Sequence, residues 1–243
     1  MIPLFYDLHI HSRLSPCGDD DMTPANLVGM AAVKGLDVIA LTDHNSCANC
    51  PAAMFHGEKY GVTVIPGMEL TTSEEVHVIC LFPTLGGAMD FDAFVYRMLI
   101  PFPNREEIFG RQQIMNERDE VTGTKDLLLI NAVSVSFDEV FALAAAYNGI
   151  AYPAHVDKPS TSLLSNLGFV PPDSKFTCAE FHDFNNLHRI RRSHPYFSRC
   201  NVICCSDAHY LEEIHEPEYR LFSRSRKISD ILDALTSPVP AQT

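Results

Sequence analysis

The sequence predicts a barrel-like α/β fold, and three observations carry that expectation. Short apolar runs recur along the whole chain, helical stretches lie between them, and metal-ligand residue types stand where the runs end. The runs are Leu4 to Leu8, Asp37 to Leu41, Val62 to Pro66, Val76 to Phe82, Ile150 to Pro153, Thr177 to Phe181 and Asn201 to Cys205. Each is short and apolar at consecutive positions, which is the pattern of a strand buried on both faces. Pro24 to Lys34 reads as a helix because Thr23 can cap it and Pro24 suits the first helical position, and Pro51 to Tyr60 is closed by Gly61. Phe137 to Tyr147, closed by Gly149, and Ile228 to Leu235 are further helical stretches. Strands alternating with helices point to a parallel, barrel-like sheet.

Length is compatible with that architecture: 243 residues can bury one large core, so residues 1–243 are expected to form a single domain. The rhythm breaks between about residues 84 and 131, where a helix-like segment is followed by Pro101, Pro103 and a polar run from Gln112 to Lys125. Gln112 to Glu117 and Glu120 to Thr124 can pair as a hairpin around Arg118 and Asp119. This stretch is either a small insertion beside the site or a surface loop. Apolar residues make up 46% and charged residues 20% of the chain, an ordered globular composition. Met1 leads directly into an apolar strand with no basic stretch before it, so no signal peptide is expected, and no segment is long enough to span a bilayer. The eight scattered cysteines read as reduced thiols of a cytoplasmic protein. Cys47 and Cys50 form a CxxC pair, but no second pair completes a zinc set. A net charge of −13 argues against an extended nucleic-acid surface, while leaving room for a nucleotide held through metal ions.

The chemistry concentrates at the strand ends. Asp7-Leu8-His9-Ile10-His11 closes the first run, and strand alternation puts His9 and His11 on one face, where two imidazoles can chelate one ion. Asp43 and His44 follow the second run, and Glu69 follows the third. His77 begins the fourth, His155 follows the fifth, and Asp207 and His209 follow the last. In α/β barrels the loops at that end converge on the axis, which is where active sites assemble. A donor set of imidazoles and carboxylates suits Zn, Mn or Fe, and several carboxylates allow ions to be bridged. Glu180 and His182 end the sixth run at the same rim, where they can orient a ligand, touch substrate or merely cap the strand. His56, His188, His194 and His215 lack a strand-end context and read as packing or surface residues.

The segments DLHIHS, TDH, PGMEL, PAH and SDAH, spread from residue 7 to 209, resemble the motifs of the PHP (polymerase and histidinol phosphatase) family. Within it the chain looks most like stand-alone phosphoesterases similar to nucleotide phosphatases, because Glu69 is followed closely by His77 in a His-Val-Ile-Cys-Leu strand. The resemblance implies a distorted (β/α)7 TIM-like barrel with a trinuclear metal site, hence two to three divalent ions. It implies that His9, His11, Glu69 and Asp207 hold one ion and that Glu69 bridges to a second held by His77 and His155. A third falls to Asp19, His44 and His209, with Asp20 as the alternative to Asp19, since the family's Ser-Asp-Gly stands here as Gly18-Asp19-Asp20-Asp21. Asp7 and Asp43 flank ligand histidines and are expected to orient them. The family's phosphate-binding Arg after its His-Pro-Gly turn is replaced by His155-Val156-Asp157-Lys158, so Lys158 is the candidate for that role, with Arg13 the second cation.

Phosphate ester cleavage needs a nucleophile strong at neutral pH, neutralised phosphoryl oxygens and help for the leaving oxygen, and a metal cluster supplies all three. The expected substrate is a small phosphorylated molecule such as a nucleotide. Two other readings stay open: an amidohydrolase-like hydrolase of a non-phosphate bond, and a non-catalytic metal-binding module.

Overall fold

Each of the seven apolar runs forms a strand in the computed structural model, which describes residues 1–237. The first half comprises β1 (Ile2–Ile10), α1 (Pro24–Lys34), β2 (Val38–Leu41), α2 (Cys50–Tyr60), β3 (Thr63–Thr71), β4 (His77–Leu81), α3 (Leu85–Met98), α4 (Glu106–Phe109), β5 (Gln113–Met115) and β6 (Val121–Thr124). The second half comprises α5 (Phe137–Ala146), β7 (Ile150–Pro153), α6 (Leu163–Asn166), β8 (Cys178–Phe181), α7 (Leu187–Ser193), β9 (Asn201–Cys204), β10 (Arg220–Ser223) and α8 (Ile228–Thr236). Thr23 caps α1 by accepting from the Asn26 N–H, and Gly35 ends the helix in a left-handed conformation at φ 81°.

The sheet departs from the expected parallel barrel. Six strands lie in the order β10-β1-β2-β3-β4-β7, and β8 with β9 forms a separate parallel pair. β1, β2 and β3 are parallel, whereas β4 is antiparallel to both β3 and β7. The cause is the length of the β3–β4 connection: residues 72–76 turn tightly, with the Glu75 N–H donating to the Thr72 carbonyl, and a parallel crossover needs about a dozen residues or more. The result is a mixed, curled half-barrel with no ladder between β7 and β8 among the described residues. Its two edges still approach each other. The Val156 N–H donates to the Glu180 carbonyl at 2.9 Å, and Ile10 bridges Ala208 in parallel. The reversal of β4 also explains how His77, at the start of its strand, shares a rim with residues at the ends of the others. β10 has no apolar run to announce it, because Leu221 is its one buried apolar residue.

Alternation along the strands feeds two clusters. Leu4, Tyr6, Leu8, Val38, Ala40 and Ile65 pack with Ile231, Leu232 and Leu235 of α8. Ile39, Leu41, Val64, Val78 and Cys80 pack with α1, α2, α3 and α5. The stretch from 84 to 131 is pinned to the loops after β1 and β2. The Asn49 side chain accepts from the Met115 N–H and donates to the Gln113 carbonyl, and the Asn45 amide donates to the carbonyls of Leu129 and Asn131. At the tip of the β5–β6 hairpin, the Asp119 carboxylate accepts from the Thr23 hydroxyl and the Ala25 N–H at the start of α1. Gly110, at φ 99°, lies so close to the loop after β1 that a Cβ there would meet the Pro16 carbonyl at 2.2 Å. Among the described residues no helix is long and apolar enough to cross a membrane.

Candidate metal centre

Glu69 is the hub. Its strand end is reached through Gly67, where a Cβ would come within 2.6 Å of the Cys80 carbonyl, so only glycine lets β3 and β4 close at that point. Glu69 Oε1 lies 2.7 Å from His77 Nδ1, 3.0 Å from His155 Nε2 and 3.3 Å from His9 Nε2. Glu69 Oε2 lies 3.1 Å from His44 Nδ1 and 3.3 Å from His11 Nε2. Asp207 Oδ1 closes the other side, 3.2 Å from His9 Nε2 and 3.1 Å from His11 Nε2. His155 and Asp207 both hold positive φ, 25° and 54°, a strained backbone that aims their side chains inward.

The hydrogen bonds behind the rings fix which nitrogens face the centre. Glu180, fully buried, accepts from His9 Nδ1 at 2.9 Å and from the His155 N–H at 3.2 Å. The Ser15 hydroxyl donates to Asp43 Oδ1 at 2.7 Å and therefore accepts from His11 Nδ1 at 2.9 Å. Neutral rings bonded in this way present the Nε2 lone pair inward. The His9 and His11 Nε2 atoms, 3.1 Å apart, then both face the Glu69 and Asp207 oxygens. Glu69 Oε2 and His44 Nδ1 are likewise buried with no hydrogen-bond partner. Such a cluster of acceptors is stable only around added protons or cations.

The electrostatics agree. Burial alone would raise the Glu69 carboxyl, but the imidazoles of His77, His9 and His44 outweigh it and hold the group well below the usual carboxylate range. Asp207 is held low in the same way by His9 and His11 against burial. For His9, burial disfavours the charged ring, yet Glu180, Asp207 and Glu69 draw its pKa well above the ordinary value. A divalent cation can replace that proton, and the donor chemistry fits one: His9, His11, Glu69 and Asp207 converge, as do His44, Glu69 and His77, and His11, His44 and His209.

Residues 7–164 match the family described as the PHP domain. The chain belongs to the PHP domain family. Its residues align at 35% identity over 79 positions with a 5'-3' exoribonuclease of Haemophilus influenzae, covering 31% of this chain and 28% of that protein. They align at 32% over 78 positions with a 3',5'-nucleoside bisphosphate phosphatase of Chromobacterium violaceum, covering 31% of this chain and 26% of that protein. The chain thus matches under a third of the length of either relative. In fold it is similar to the lesion-specific endonuclease PfuEndoQ of Pyrococcus furiosus, with TM-score 0.66 and 20% identity over 97% of this chain and 56% of that one.

This PHP domain brings His9, His11, His44, Glu69, His77, His155, Asp207 and His209 together. Asp19 and Asp20 stay out: Asp19 Oδ1 accepts from the Asp21 N–H, and Asp20 pairs with Arg13 at 2.9 Å. Where an aspartate was expected, Cys17 Sγ lies 3.1 Å from His209 Nε2. Burial opposes the Cys17 thiolate, but His44, His209 and His11 outweigh it and bring the thiol to about 5. Asp43 reaches His11 through Ser15, whereas Asp7 touches no ring of the cluster. The Asp7 carboxylate instead accepts from the Ser206 and His215 N–H groups and so ties down the loop that carries Asp207. Lys158 Nζ sits on Asp207 Oδ2, and burial, which would lower its pKa, is outweighed by that carboxylate. Glu180 backs His9, while His182 is exposed and bonds through its backbone to Asp157. His56 is buried against Tyr60 in α2, away from any strand end. Cys47 and Cys50 are buried, with both thiols directed at the Gly67 carbonyl.

Ser15 and Cys17 were missed by sequence reasoning. The signal for Ser15 was its position four residues after His11, in a turn that returns to Asp43. For Cys17 it was Gly18, where a Cβ would meet the Ser12 carbonyl at 2.2 Å, so the loop folds back over the histidines.

Proposed function

We propose that this PHP domain is a metal-dependent phosphoesterase that hydrolyses a small phosphate ester, with a nucleotide as the favoured substrate class. The observation that supports it most is the convergence of imidazole nitrogens on the buried Glu69 and Asp207 oxygens, with His9 and His11 turned Nε2-inward by the hydrogen bonds behind them. His9, His11, Glu69 and Asp207 would hold one ion. Glu69, His77 and His155, with His44 beside them, would hold a second, and His44 and His209 would share a third. Bound divalent ions supply Lewis acidity at the phosphoryl oxygens and a water of lowered pKa.

The chain's own groups do the rest. Glu180 and the Asp43–Ser15 pair lock the His9 and His11 tautomers, so their lone pairs stay inward through turnover. Asp7 fixes the Asp207 loop from behind. Lys158, whose side chain is 28% exposed, can move its ammonium from Asp207 to a substrate phosphate oxygen. Arg13 is committed to Asp20 and is the weaker candidate for that contact. The two relatives, an exoribonuclease and a nucleoside bisphosphate phosphatase, favour phosphate esters of nucleotides over a carbon–nitrogen bond as the reading for this chain.

Net charge alone does not decide whether a longer nucleic acid also binds. Arg189, Arg191, Arg192 and Arg199 concentrate positive charge in and just after α7, which follows β8. The protein similar in fold is a lesion-specific endonuclease. The deciding experiment is phosphate release by the metal-loaded protein from phosphomonoesters, bisphosphorylated nucleotides and short oligonucleotides, with carboxyl esters and amides alongside. Turnover confined to phosphate esters supports the proposal, and turnover confined to esters or amides replaces it with the amidohydrolase-like reading.

A further inference from the structure

The corner formed by His11, His44 and His209 differs from the rest of the cluster. His209 Nδ1 donates to the Asp207 carbonyl at 2.8 Å, so its Nε2 lone pair points at Cys17 Sγ, 3.1 Å away. His44, at 6% exposure, belongs with His11 and His209 to one group of converging donors; its Nδ1 turns toward Glu69 Oε2, and its ring lies close enough to the Cys17 thiol to favour the thiolate. His11 stacks on His209 with ring centroids 4.4 Å apart. Asp19 Oδ1 accepts from the Asp21 N–H and Asp20 pairs with Arg13, and no carboxylate of residues 19–21 is grouped with these three histidines. Cys17 is also the only exposed thiol among the described residues.

Its position is built rather than incidental. The Gly18 N–H donates to the Ser15 carbonyl and the Asp19 N–H to the His209 carbonyl, so the loop is tied to the histidine it faces. Ser15 also fixes His11, and Gly110 presses on Pro16 from the other side. Four neighbouring constraints therefore hold the loop that carries Cys17 against His209.

We infer that Cys17 is a metal ligand of this chain, so that the corner is a thiolate–imidazole site of Cys17, His44 and His209 rather than an aspartate–histidine one. This rests on the proposal that the cluster binds divalent ions. A thiolate donor makes the corner softer than the carboxylate-rich centre around Glu69, so it selects zinc over manganese or magnesium, while the Glu69 centre accepts the harder ions. The two parts of one cluster then differ in metal preference.

Cobalt(II) reports on this directly, because thiolate coordination gives a ligand-to-metal charge-transfer band in the near ultraviolet that imidazole and carboxylate donors do not. The reduced, full-length protein is loaded with cobalt(II), its content measured by elemental analysis, and its spectrum compared with those of Cys17→Ser, Cys17→Asp and Asp19→Asn. The parent and Asp19→Asn should show the band, and both Cys17 variants should lose it. Loss of an outer-shell partner alone costs about 10–100-fold in metal affinity, so Cys17→Ser should lower zinc affinity at this corner by at least that factor. Cys17→Asp should bind manganese better than the parent does. Circular dichroism confirms that each variant is folded. Cobalt bound without the band in the parent, or a band that survives in Cys17→Ser, overturns the assignment while leaving the Glu69 centre standing. Failure to take up any cobalt overturns both.

Discussion

The centre around Glu69 and the corner around Cys17 share histidines yet are built by different means. Donors of the first stand at strand ends: His9 on β1 with His11 just beyond it, Glu69 on β3, His77 on β4. The His9 and His11 rings are buried, and their rear nitrogens are held by the buried Glu180 and Ser15. Donors of the second sit on loops, with Cys17 exposed and the His209 side chain 24% exposed. A strand places its side chains to within the pleat, so the first centre is preorganised before any ion arrives. A loop site depends on its hydrogen bonds to Ser15 and His209, which leaves it able to exchange its ion and to admit solvent.

The comparison predicts a steep gradient in mutational cost. Glu69→Gln keeps the shape but removes the charge that five histidines face, and turnover should fall by about a thousandfold or more, equivalent to several kcal/mol of lost stabilisation, with an unchanged circular dichroism spectrum. Near-normal activity at saturating metal would show that Glu69 is not shared. Next comes Glu180→Ala, which frees His9 Nδ1 and should cost about 10–100-fold in metal affinity or activity. Glu180→Gln, whose amide oxygen can still accept from that nitrogen, should recover most of the loss. Equal behaviour of the two variants would mean that Glu180 contributes its charge rather than orientation.

Lys158→Ala removes one charge-assisted contact, worth about 1.5–3 kcal/mol or roughly ten- to a hundredfold in kcat/KM, without changing metal content. Arg13→Ala is the internal comparison, and impairment there with a normal Lys158→Ala would move the phosphate contact to Arg13. The smallest effect belongs to Asp119→Ala, which unties the hairpin from α1. It should cost about 1 kcal/mol of stability in denaturant unfolding and leave kcat/KM unchanged. A fall in activity would show that the hairpin does more than brace the rim.

The same contrast explains what the sequence disclosed. Strand-borne donors were legible because an apolar run marks a strand, and the residue after the run must then lie at its end. Helix limits were legible wherever Thr23, Gly35 or Gly61 marks them. The reversed direction of β4 was hidden, because apolar content records burial and not direction; only the five residues between Thr71 and His77 carry it. Glu180 could be placed at the rim but not assigned to His9, 171 residues away in sequence. Asp7 and Asp43 look alike in sequence, each beside a ligand histidine, yet one holds a loop and the other a serine. Cys17 was invisible for a further reason: counting acidic residues after the first motif offers Asp19, Asp20 and Asp21, and nothing in the spacing says that Asp19 bonds within its own turn and Asp20 pairs with Arg13.

Whether the cluster around Glu69 holds more than one divalent ion is decided by elemental analysis of the gently purified protein after reloading with zinc or manganese. More than one ion per chain in the parent, with fewer in Glu69→Gln, is the predicted result. One ion or fewer per chain in the parent would contradict it.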